Sequence, residues 1–105
     1  MRRGFEADQA LMELVTTIAN YPGGFEAWCC GVADDVPVRL RHHRVNPGYD
    51  LWIACECSNG DGAWAVEEEL VLRGCETADW PSPPDARWVY AYRMHERTRE
   101  ARVKR

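Results

Sequence analysis

A chain of 105 residues can bury one compact core but not two. Its 46% hydrophobic content and five tryptophans exclude wholesale disorder, and no apolar run approaches the ~20 residues that cross a bilayer. The net charge of -4 argues against a globally basic polyanion binder, yet the charge is segregated. From Arg93 onward the chain carries six of its thirteen Lys and Arg residues against only Glu96 and Glu100. With those six and Arg2 and Arg3 set aside, five basic residues face fifteen acidic ones, so any nucleic-acid site in the body must be local. Three of those five stand together in Arg39-Leu40-Arg41-His42-His43-Arg44. The start, Met1 to Glu6, does not read as a signal peptide, and the expected setting is the cytoplasm, with no membrane partner.

In chain order, Leu11, Leu14, Val15 and Ile18 repeat at helical spacing and predict a helix from Asp8, its expected cap, to Ala19. Asn20 to Gly24 ends it. Phe25 to Val32 reads as a strand with Cys29 and Gly31 on one face and Trp28, Cys30 and Val32 on the other; few polar residues interrupt it, which predicts a central place. Asp34 or Asp35 can cap a short helix over Val36 to Arg44, with Pro37 in its first turn. Tyr49 to Cys57 is a second expected strand, and Asp61 to Arg73 a third helix ended by Gly74. The proline-rich stretch from Trp80 to Asp85 is a loop, and Arg87 to Arg93, rich in aromatic and β-branched residues, is a third strand. The predicted class is α/β of the α+β kind: a three-stranded, mainly antiparallel sheet with flanking helices in one domain over 1–94, then a basic tail over 95–105. The cysteines, Cys29, Cys30, Cys55, Cys57 and Cys75, are odd in number and lack metal-ligand spacing, so reduced core thiols without zinc are expected.

Two patterns suggest chemistry. On a helical wheel Ala63, Trp64, Val66, Leu70 and Val71 form an apolar arc that includes Glu67, and a carboxylate so placed needs a cation or a metal. Arg39 and His43, four apart, share one face of the preceding helix. Taken in order, Cys29-Cys30-Gly31, Arg39, His43 and the helix Ala63 to Glu67 resemble the GIY-YIG nuclease superfamily over about 28–74. The resemblance implies an arginine acting on phosphate at Arg39, a histidine at His43, and a ligand for Mg or Mn at Glu67. Cys29 stands where the family's second motif has tyrosine, and no Gly-Ile-Tyr strand precedes Phe25. Tyr90 and Tyr92, two apart on the last strand, restore a phenol if that strand pairs antiparallel with Phe25 to Val32.

Two functions follow as expectations. One is a catalytically degenerate binding or interaction module, which the Cys29 replacement and the acidic body favour. The other is a divalent-metal-dependent endonuclease with Arg39, His43, Glu67, Tyr90 and Tyr92 catalytic, and with Arg39, Arg41 and Arg44 contacting nucleic acid.

Overall fold

The structure, a computed structural model, describes residues 6–77 and 82–98, so Trp80, Pro81 and the tail from 99 lie outside the described residues. Helix α1 spans Ala7–Ala19, strand β1 Trp28–Ala33, helix α2 Val36–His42, strand β2 Trp52–Glu56, helix α3 Gly60–Leu72, strand β3 Glu76–Thr77 and strand β4 Trp88–Arg93. The class is α+β, with a four-stranded mixed sheet in the order β2-β4-β1-β3. No described helix is long and apolar enough to cross a membrane.

Local signals set most boundaries. The cap of α1 is Glu6 rather than Asp8, and its backbone N–H donates to Gln9 Oε1 at 3.3 Å, so Asp8 falls in the first turn. Asp35 caps α2 by accepting from the Val38 amide at 3.1 Å, and Asn59 caps α3 by accepting from the Gly62 amide at 2.7 Å. Gly74 follows α3 at φ 124°, a backbone state that costs a residue with a Cβ dearly. The second helix stops at His42, because Arg44 turns to φ 63°. Phe25 to Ala27 form one 3₁₀ turn, so β1 starts at Trp28.

The strand arrangement corrects the expected one in two respects. A fourth strand, β3, pairs parallel with β1 at Cys29 and Cys30. The pairing of β1 with β4 is antiparallel as expected, with Tyr92 opposite Cys29 and Tyr90 opposite Gly31. Strand β2, however, pairs with β4 and not with β1. The physical reason is that β4 is as apolar on both faces as β1: its four inner residues are all buried, whereas β2 has one fully buried residue and takes the edge.

Alternation along β1 and β4 separates two cores. Trp28, Cys30, Val32, Val89 and Ala91 face α1 and α3, together with Leu14, Ile18, Val66 and Leu70. Cys29, Ala33, Tyr90 and Tyr92 face α2, together with Val36, Leu40 and Val45. Just past β4, His95 Nε2 and Arg97 Nη2 lie 3.3 and 3.6 Å from Asp50 Oδ1, so ordered packing continues beyond Met94.

All five cysteines are buried, and burial pushes the Cys55 thiol up to about 11 and raises Cys57 as well. Unfolded thiols ionise near their ordinary value of ~8.5 while these keep their protons in the fold. Their stabilising contribution is therefore complete below that pH and lost as pH rises through the folded values. Urea denaturation is expected to show stability falling between about pH 9 and 11, by up to ~1.4 kcal/mol per pH unit for each such thiol. A flat profile over that interval contradicts the assignment.

Candidate functional site

The residues singled out in the sequence divide between the two sides of the sheet. On the α2 side, His43 and Tyr90 are fully buried, and His43 Nε2 lies 2.8 Å from the Tyr90 hydroxyl. The His43 ring also packs on Tyr92, with centroids 4.9 Å apart, while Tyr90 and Tyr92 stack at 6.5 Å with an interplanar angle of 6°. Tyr90 sits over Gly31, where a Cβ would stand 2.5 Å from its hydroxyl oxygen. A side chain at Gly31 would therefore fill the space that the phenol occupies.

Arg39 leaves the exposed flank of α2 and reaches inward. Its Nη2 donates to Ser82 Oγ at 2.9 Å, and Ser82 in turn donates to the Val32 carbonyl at 2.6 Å. Burial pushes the Tyr90 phenol well above the ordinary tyrosine range, and the positive charge of the Arg39 guanidinium, which favours ionisation, offsets only part of that rise. A phenol so held keeps its proton at neutral pH and is a poor general base. Ser82 escaped the sequence reading because it lies in a proline-rich loop, and its one local signal is a small hydroxyl between prolines.

Glu67 approaches from the other side, on α3. It is half-buried at the margin of the apolar face formed by Ala63, Val66 and Leu70, and Val71 of the expected arc is exposed. Its Oε2 accepts from Thr77 Oγ1 at 2.6 Å, so its partner is a hydroxyl on β3 rather than the Arg39 guanidinium. Arg39 and Glu67 thus flank β1 from opposite faces, Arg39 by way of Val32 and Glu67 beside the strand that pairs with Cys30. A divalent ion on Glu67 would be separated from Tyr90, Tyr92 and His43 by the sheet. Among the described residues no group of three or more His, Cys, Asp or Glu gathers to hold an ion.

The expected nucleic-acid cluster also separates. Arg39 is drawn to Ser82, while Arg41 is exposed on α2 and Arg44 is exposed beyond it, lining a cavity of about 470 Å³ with Glu96, Arg97 and Thr98. The sequence reading missed a cavity of about 350 Å³ on the α2 side, lined by Asp34, Asp35, Val36, Pro37, Trp52, Ala54 and Trp88. Trp52 and Ala54 on β2 share a face with Trp88 on β4 through the register Trp52 to Tyr92, Ala54 to Tyr90 and Glu56 to Trp88.

Comparisons with models of known families, with characterised proteins and with solved structures give no significant match.

Proposed function

We propose that this domain is a non-catalytic binding module with a GIY-YIG-like arrangement, in which the residues matching the nuclease set form a buried structural network. The observation that carries this reading is the closed pair of His43 and Tyr90, both without solvent exposure and bonded to each other at 2.8 Å. A base that activates water must reach that water, and this phenol is enclosed on every side. The kinship itself is supported by β4, which lies antiparallel on β1 and brings Tyr90 opposite Gly31 and Tyr92 opposite Cys29. An open feature on the same side of the sheet is the cavity lined by Trp52 and Trp88, and we assign binding to it.

One observation favours the nuclease reading instead. Arg39 is linked through Ser82 to the Val32 carbonyl of β1, and Glu67 accepts from Thr77 on the strand paired with Cys30, so both groups of the nuclease set lie close to β1, from its two faces. The test is incubation of the intact protein with single- and double-stranded DNA and RNA in magnesium or manganese. No cleavage is expected, and Glu67→Gln is expected to change stability by less than ~1 kcal/mol, since it alters one part-exposed hydrogen bond. Metal-dependent cleavage that disappears in folded Glu67→Gln and Arg39→Ala proteins would replace the binding reading with the enzymatic one.

A further inference from the structure

The cavity combines features that choose a ligand charge. It is lined by the indoles of Trp52 and Trp88, by Ala54, and by Val36 and Pro37 at the start of α2. Asp34 and Asp35 also line it, and none of its lining residues among those described is basic. Asp35 already accepts from the Val38 amide through Oδ1, which leaves Asp34, exposed at the end of β1, as the carboxylate available to a ligand. Indole faces attract cations through the ring quadrupole, and carboxylates beside them add a formal charge of the same preference. The acidic body of the chain extends that preference over a longer range.

From this we infer that the cavity between Trp52 and Trp88 binds the arginine side chain of a basic peptide. The inference rests on the reading of the domain as a binding module and gives that module its partner class. Arginine fits better than lysine, because a planar guanidinium stacks on an indole and pairs in two-pronged fashion with a carboxylate, whereas an ammonium holds its water more strongly. Strand β2 has no strand beyond it among the described residues, so an extended peptide can lie along it with a side chain directed over Ala54.

The probe is a capped Gly-Gly-Arg-Gly-Gly peptide titrated into isotopically labelled intact protein, with the indole N–H signals of Trp52 and Trp88 followed by NMR. Saturable shifts of both indoles are expected with the arginine peptide, weaker ones with the lysine peptide, and none with the glutamate peptide. Affinity is expected to fall with rising salt, and about fivefold on Asp34→Asn, the scale of one partly exposed charge. Trp52→Ala, at a side chain 38% exposed and therefore tolerant of change, is expected to abolish the saturable shifts. Equal response to arginine and glutamate peptides, or an unchanged affinity in folded Asp34→Asn and Trp52→Ala, would overturn the assignment. A titration that is silent in the full chain and appears once residues 99–105 are removed would overturn it in favour of the chain's own basic end. Cleavage is scored separately: a protein that cuts nucleic acid and also binds arginine refutes the non-catalytic reading alone, and one that does neither refutes the arginine assignment alone.

Discussion

Gly31→Ala is expected to lower the unfolding free energy by ~3 kcal/mol, the upper end of the usual range for forcing an extra methyl into a packed core. The added Cβ would lie 2.5, 2.7 and 2.9 Å from the hydroxyl oxygen, Cζ and Cε2 of Tyr90. That ring cannot swing aside cheaply. It is fully buried, stacked on Tyr92, and tied at its tip to His43. In a domain of this size such a loss corresponds to a fall of ~10–20 °C in melting temperature, readable by calorimetry or denaturant titration. A loss under ~0.5 kcal/mol would mean that Tyr90 does not rest on Gly31 as described.

Loss of the His43 ring is the second large effect. His43→Ala opens a cavity in a core with no solvent access and removes a partner of the buried Tyr90 hydroxyl, so ~3 kcal/mol is expected from the two terms together. Tyr90→Phe removes the hydroxyl without opening a void of that size and is expected to cost ~1–2 kcal/mol, chiefly by stranding the imidazole nitrogen. The two are in contact, so their costs should not add: in the Tyr90→Phe background His43→Ala is expected to cost ~1 kcal/mol less than in the wild type. Full additivity would show that the 2.8 Å contact contributes nothing to the fold.

How far these features could be read from the sequence depends on whether their signals were local. The period of Leu11, Leu14 and Ile18 gave α1, and the alternation in β1 placed Cys29 and Cys30 on opposite faces, as the two cores have them. The two-residue β3 carries no periodicity of its own; it is a strand because α3 and Gly74 return the chain to the open edge of β1. Sheet order is likewise non-local. The apolar density that marked β1 as interior marks β4 equally, and only the assembled sheet puts β4 between β1 and β2.

For the site, spacing alone set Arg39 and His43 about one turn apart, which the structure has with Arg39 on α2 and His43 at its C-cap, and the antiparallel pairing of the tyrosine strand with β1 was expected from the family resemblance. What spacing cannot supply is the side of the sheet to which a helix packs. The wheel that put Glu67 in an apolar arc says nothing of whether α3 shares a face with α2, and it does not. Burial of His43 is also invisible to a helical wheel, because the residue lies past the last turn of α2 as its C-cap. The cavity lined by Trp52 and Trp88 depends on a register between strands some thirty residues apart, and no local pattern announces it.

The central claim, that the phenol facing Gly31 is a structural group and not a base, is open to one direct measurement. The Tyr90 Cζ signal of carbon-labelled protein can be followed by NMR as pH is raised from neutrality toward 11, with Tyr90→Phe providing the assignment. Burial holds this phenol above the ordinary range, so its signal is expected to stay at the protonated position through pH ~10 for as long as the protein remains folded. A Tyr90 that ionises with a midpoint at or below ~10 in the folded protein would contradict the account and return that tyrosine to the list of bases.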